Sequence, residues 1–271
     1  MDASHLAPLL TPEGWALLAD LPPYDESTAL AVGESLRDQG HSPALVSAAL
    51  TQQRLRGRAA AKFGPFASRM LFTPDALEQA TRLVVSAHHA ARYEHAGVQH
   101  VADLGCGIGS DAMAIAGLGM NVLAVDIDPD AAGAVAANLR AFEGSEVRLG
   151  DVTDLDMGEL AAQGVDAIFA DPARRTGASR GSARITDPEQ WSPPLSLALG
   201  WASTIDRVGI KVAPGIAYEH IPSSWHAQWV SVGGDLVEAS LWSPALSPEG
   251  SGRSCLLLDE AGAAHSLSTP E

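Results

Sequence analysis

The sequence predicts an α/β fold: a mostly parallel, doubly wound sheet with an antiparallel edge strand, preceded by an all-helical N-terminal domain. Three observations predict it. Residues 1–95 carry apolar positions at helical spacing and no strand alternation. From Val98 onward, short apolar runs alternate with helical patterns, the signature of parallel strands joined by crossover helices. A glycine-rich turn stands where the first of those strands gives way to a helix.

In the N-terminal part, helices are expected around Thr11–Ala19, Ser27–Gln39, Pro43–Arg58 and Pro74–Tyr93. Three begin with a cap residue followed by proline: Thr11-Pro12, Ser42-Pro43 and Thr73-Pro74. That order suits a first turn, whose N–H groups have no helical partner. Gly40 and Gly97 are the expected stops. A strand over Val98–Asp103 then leads to a helix at Ser110–Leu118, a strand at Asn121–Asp126, a helix at Pro129–Ala141, and strands at Glu146–Leu149 and Val165–Ala170. A helix at Pro194–Ser203 and a strand at Arg207–Val212 follow, with two last strands at Asp235–Trp242 and Ser254–Leu258 suited to an antiparallel edge. Between them, Arg174–Pro194 reads as one long loop, a kind of segment that is often functional. The domains expected are therefore 1–95, helical, and 96–260, α/β, with 261–271 a tail lacking pattern.

Of 271 residues, 17 are basic and 33 acidic, a formal net charge of −16. Such a balance argues against a generic polyanion binder, which needs a positive surface. The basic residues are clustered, however. Arg54, Arg56, Arg58, Lys62 and Arg69 share one acid-free window, and Arg174, Arg175, Arg180 and Arg184 share another. Apolar runs are too short for a membrane span and no basic leader precedes one, so no membrane partner is expected. Two distant cysteines, Cys106 and Cys255, read as free thiols in a reducing, cytoplasmic setting. The nine histidines lack zinc-site spacing, so no metal is expected.

The strongest chemical signal is the run from Val101 to Asp111, in which Gly105, Gly107 and Gly109 follow a strand and precede a helix. The spacing is G-x-G-x-G, and Asp103 stands two residues before the first glycine. A carboxylate there repels a pyrophosphate but suits an amino group. Asp126 closes the next strand, placed to accept from a ribose diol, with Asp128 after it. Asp151, after the third strand, suits an adenine amino group. Three acids at successive strand ends around one glycine turn describe a nucleoside with a cationic tail and no phosphate: S-adenosylmethionine. An ordinary doubly wound fold with solvated strand-end acids is the alternative.

Residues 98–171 resemble the class I S-adenosylmethionine-dependent methyltransferases, with their glycine motif, ribose acid, adenine-side acid and post-strand-four motif in order. Lys62-Phe63-Gly64, Leu71-Phe72-Thr73-Pro74, Asp171-Pro172-Ala173-Arg174 and the run Lys211–Gly215 further resemble a bacterial group that adds a C-terminal THUMP-like domain, a type that usually binds RNA. No room for that domain is expected after Asp259, so the chain reads as a fragment or as a member lacking it. The resemblance implies a Rossmann-like seven-stranded sheet and S-adenosylmethionine as cofactor, with S-adenosylhomocysteine as product. It places Phe72, Thr73, Asp103, Gly105, Cys106, Gly107, Asp126, Ile127, Asp151, Val152 and Asp171 at the cofactor. Thr73 equally suits a plain helix cap.

Asp171-Pro172 resembles the motif with which enzymes that methylate exocyclic amines accept a hydrogen bond from the target nitrogen. Ala173 and Arg174 depart from its Pro-aromatic continuation, and Arg174 suits base stacking or a phosphate. The expected catalytic set is Asp171, Pro172 and Arg174, with Lys62, Arg174, Arg175 and Lys211 contacting substrate. A strand-end turn for Asp171, a snorkelling side chain for Lys211 and a solvated face for Arg54–Arg69 are the alternatives. Neither cysteine is placed for the thiol chemistry of pyrimidine C5 methylation. The reading that results is methylation of a base in structured RNA, tRNA or rRNA. A small-molecule methyltransferase and a non-catalytic cofactor-binding module are the alternatives, and the oligomeric state is left open.

Overall fold

The computed structural model describes residues 6–173, 185–259 and 263–269. Its first helices are α1 (Pro12–Asp20), α2 (Ala29–Asp38), α3 (Pro43–Phe63), α4 (Pro74–Gln79) and α5 (Leu83–His95). Thr11, Ser42 and Thr73 each accept an N–H of the first turn, from Gly14, Leu45 and Ala76, so all three cap–proline signals mark real helix starts. The helix expected over Pro74–Tyr93 is broken at Ala80–Arg82 into α4 and α5. At the break, the Lys62 ammonium donates to the carbonyls of Leu77, Glu78 and Ala80 at 2.8–2.9 Å and so closes the end of α4.

The sheet follows with β1 (His100–Leu104), α6 (Ser110–Gly117), β2 (Asn121–Asp126), α7 (Pro129–Leu139), β3 (Ser145–Leu149), α8 (Met157–Ala162), β4 (Ala167–Ala170), α9 (Leu195–Gly200) and β5 (Val208–Val212). The last strands are β6 (His226–Val232), β7 (Asp235–Trp242), β8 (Gly252–Leu258) and β9 (Ala264–Thr269). All nine form one sheet in the order β3-β2-β1-β4-β5-β7-β6-β8-β9. β1 to β5 are parallel, and β7 runs antiparallel between β5 and β6. Among the described residues the expected seven strands are thus nine. β6 was hidden by its mixed composition, and β9 lies in the segment expected to be an unpatterned tail, where it pairs with β8 from Arg253↔Thr269 to Leu258↔Ala264.

Alternate residues of the strands feed two apolar layers. One face carries Ala102, Leu104, Val125, Ile168, Val208, Ile210 and Val212 against α8 and α9. The other carries Val101, Val122, Ala124, Ala167, Phe169 and Trp242 against residues of α5, α6 and α7. Helix α5 therefore belongs to the sheet's own layer: Tyr93 is buried and donates its hydroxyl to the Ile168 carbonyl at 2.7 Å. A Cβ on Gly209 would run into the Trp242 ring and the Tyr93 hydroxyl, so glycine is required there for the layer to close. Helices α1 to α4 form a third core, which extends into the α/β part through Ile108, Ala134 and Ala137. The boundary expected at residue 95 therefore does not separate two independent cores.

Candidate active site

Strand order reverses between β1 and β4, the place where open α/β sheets bind ligands at the carboxyl ends of their strands. The glycine turn leaves β1 there, and Gly105, Gly107 and Gly109 all have positive φ. At Gly105 (φ +81) a Cβ would stand 2.9 Å from the Asp171 carbonyl oxygen. Glycine thus lets the turn lie directly against the end of β4, where the Asp171 N–H also donates to the Leu104 carbonyl at 3.2 Å.

Three of the predicted acids meet at this edge. The Asp126 carboxylate accepts the N–H of Gly107 at 2.8 Å on one oxygen and of Asp128 at 2.9 Å on the other. Each oxygen keeps a second lone pair for a diol. Burial raises the Asp126 pKa, opposed by those N–H groups. Asp103 is 1% exposed and one of its carboxylate oxygens has no partner in the protein. Burial, with Asp111 and Asp171 nearby, pushes its pKa well above the carboxylate range. A buried carboxyl with one oxygen unpaired beside a glycine turn fits a cationic ligand group, whose charge would favour its ionised form. Asp151 at the mouth accepts from the Thr153 N–H at 2.9 Å and hydroxyl at 2.8 Å, which lowers its pKa. Ile127 is 65% exposed beside Asp126, an apolar surface for a ring, and Val152 is buried. Half-buried Cys106 has its thiol pushed well up by burial and by Asp103 and Asp126, so it stays neutral.

Other predicted residues are placed differently. Phe72 is fully buried against Phe63, ring centroids 5.6 Å apart, so its side chain packs the helical core instead of facing the cofactor. Thr73 acts as the α4 cap. Lys62 points inward to the end of α4, and burial with the charges of Lys211 and Arg82 pulls its pKa down to about 8. Lys211 is 5% exposed and donates to Asp171 Oδ2 at 2.6 Å, to the Thr81 hydroxyl at 3.0 Å and to the Gln79 carbonyl at 3.3 Å. These three acceptors engage all three of its N–H groups, so neither lysine reaches for substrate as expected. Pro172 is buried at the turn after β4. Arg174 and Arg175 lie outside the described residues.

Sequence reasoning missed His89, Asp111, Thr81 and Glu238. His89 is buried, with Nδ1 2.8 Å from Asp111 and Nε2 2.9 Å from Glu238. Burial alone favours the neutral ring, but Glu238 and Asp111 outweigh it and hold the imidazolium up to about 9. Only Asp111 carried a signal, as the last residue of the glycine motif. The partners of His89 lie on α6 and β7, 22 and 149 positions away in sequence. Among the described residues no group of His, Cys, Asp or Glu is arranged to hold a metal, and no helix is long and apolar enough to cross a membrane.

Comparison with known proteins bears on this site. A family model described as a methyltransferase domain matches residues 102–172, from β1 through Asp171. Two curated Mycobacterium tuberculosis proteins, from strains CDC 1551 and H37Rv, are each 33% identical over 219 residues, 76% of this chain; both are described as uncharacterized S-adenosylmethionine-dependent methyltransferases. This chain belongs to the S-adenosylmethionine-dependent methyltransferases. It spans 56% of the length of those relatives. A Porphyromonas gingivalis W83 crystal structure, described as a candidate methyltransferase, shares the fold at TM-score 0.64 and 19% identity, over 91% of this chain and 66% of that one. A family described only as a domain of unknown function matches residues 2–59. S-adenosylmethionine is the cofactor, and Asp103, the glycine turn, Asp126 and Ile127 are the residues that fit it. When bound, it supplies an electrophilic methyl group on a sulfonium.

Proposed function

We propose that this methyltransferase acts on a nitrogen of a base in structured RNA, tRNA or rRNA, by direct in-line transfer. The observation that carries the reading is the position of Asp171. It closes β4 against Gly105, at the edge of the cofactor site, and the acid-free segment with Arg174, Arg175, Arg180 and Arg184 begins three residues later. Asp171 accepts a hydrogen bond from the target N–H and so aims the nitrogen lone pair. Arg174 and Arg175 contact the anionic backbone or stack on a base. Transfer forms the N–CH3 bond as the S–CH3 bond breaks, with the electron pair leaving on sulfur and the nitrogen's proton lost to solvent. The protein contributes orientation and water exclusion, since the methyl donor is intrinsically reactive.

A small-molecule acceptor is the second reading, favoured by the inward turn of two of the five basic residues in the first window, while Arg54, Arg58 and Arg69 stay exposed. Arg56 is 8% exposed and spends its guanidinium on the Met70 and Leu18 carbonyls, and Lys62 is likewise occupied. The experiment is tritium transfer from labelled S-adenosylmethionine into undermethylated total RNA, with Asp171→Ala as control. Counts in one RNA size class that vanish in the variant support the RNA reading. Counts only in a metabolite pool support the other. RNA affinity that ignores rising salt also counts against the first.

A further inference from the structure

A line of alternating charge runs through the layer between α5, α6 and the sheet. Glu238 on β7 contacts His89 on α5, and His89 contacts Asp111 on α6. Asp111 is hydrogen-bonded by the Thr81 hydroxyl, which accepts in turn from Lys211 on β5, and Lys211 contacts Asp171. Ser240 holds the far end, donating to Glu238 at 3.2 Å. We propose that Lys211 is a positioning residue for Asp171, and that this buried line of charges sets the direction and ionisation of the carboxylate that receives the target nitrogen. The inference rests on the reading of Asp171 as that acceptor.

Geometry carries it. β4 and β5 are paired at Ala170↔Ile210, so the residues one step further, Asp171 and Lys211, project from neighbouring strands onto the same face. The Asp171 backbone is held from the β1 side by Leu104, and its side chain from the β5 side by Lys211. Lys211 has no spare N–H with which to turn away. Exposure falls steeply along the line. The Asp171 side chain is 26% exposed, the Lys211 side chain 6%, and those of Asp111, His89 and Glu238 8% or less. Three carboxylates and two cations leave one net negative charge, and the one member open to the cleft is Asp171. Removing the Lys211 charge would leave Asp171 and Asp111 without the cation they share, and the more accessible of them would take up a proton more readily.

The charged groups involved come from every neighbouring element. Asp103 on β1 and Lys211 on β5 act on Asp171, while Asp111 on α6, Glu238 on β7 and Lys62 on α3 act on Lys211. The test needs no substrate. In the full chain, aspartate 13Cγ resonances are followed through a pH titration, with Asp171 assigned by its loss in Asp171→Asn. The Asp171 midpoint is expected to rise by about one pH unit or more in Lys211→Met. Lys211→Arg should restore most of that shift, and Thr81→Val, which cuts the line but leaves the ion pair, should give a smaller rise. S-adenosylhomocysteine binding reports that each variant is folded; should Lys211→Met fail to fold, Thr81→Val decides. An Asp171 midpoint unmoved in the folded variants overturns the proposal. A midpoint that moves, with methyl transfer intact in Asp171→Asn, instead overturns the acceptor reading while the positioning stands.

Discussion

Asn138 on α7 and Leu71, 67 residues apart in sequence, exchange a reciprocal pair of hydrogen bonds. The Leu71 N–H donates to Asn138 Oδ1 at 2.7 Å, and Asn138 Nδ2 donates to the Leu71 carbonyl at 3.0 Å and to the Ile108 carbonyl at 2.9 Å. One side chain thereby ties the segment before α4 to the glycine turn. Asn138→Ala would leave three backbone groups unpaired in a buried place and should cost about 3 kcal/mol of stability. Urea denaturation checks this, and a loss under about 1 kcal/mol would show that the segment is held by its apolar contacts alone.

Asp103 should trade stability for binding. Its pKa is raised in the folded protein, so the stability it contributes is complete below the unfolded carboxylate value and is lost as pH rises through the folded one. Asp103→Asn should accordingly raise the melting temperature of the cofactor-free protein at pH 8 while weakening S-adenosylhomocysteine by about tenfold or more. Wild-type protein should release a proton as it binds that ligand's ammonium. Calorimetry in buffers of differing ionisation enthalpy measures it, and a buffer-independent heat would mean Asp103 is already ionised.

His89 gives the opposite kind of residue the same sign. Its pKa is raised from 6.5 to about 9, so its stabilisation is full below pH 6.5 and disappears as pH climbs through about 9. The amount is on the order of 3 kcal/mol, from a shift of that size in a buried group. Denaturation midpoints taken from pH 6 to pH 10 should fall across that window. His89→Gln should be less stable than wild type at pH 6, where Asp111 and Glu238 lose their cation, and should show a flatter pH profile.

Asp126→Ala should weaken S-adenosylhomocysteine by about 2–3 kcal/mol, because a charged acceptor for two hydroxyls is lost and the Gly107 and Asp128 N–H groups are released. Unchanged affinity by calorimetry would place the ribose elsewhere.

The grouping of the glycine turn with its neighbouring acids was legible in sequence because it is local. Gly105, Gly107, Asp103 and Asp126 lie on one strand-turn-helix unit and the strand beside it, and the order of residues alone brings them together. The basic side chains were not legible for the opposite reason. Whether Arg56, Lys62 or Lys211 faces solvent depends on carbonyls and carboxylates 14 to 132 positions away, supplied only by the folded chain. Strand β6 shows a third case. His226 and Gln228 interrupt the apolar pattern, yet His226 is buried and bonded to Ser254 of the neighbouring strand and to Gly250 just before it. A polar residue satisfied by its neighbours is invisible to periodicity.

The antiparallel placement of β7 orders the assembly of the molecule. β7 follows β5 and β6 in the chain but lies between them, with Trp242 opposite Gly209 on one side and His226 on the other. A growing chain that has delivered β5 and β6 therefore holds two unjoined edges, and neither has its partner until residue 242 has been made. The same strand brings Glu238, so His89 acquires its second carboxylate in the step that seals the sheet. Closure of the seam and completion of the buried line from Glu238 to Asp171 therefore wait on the same strand.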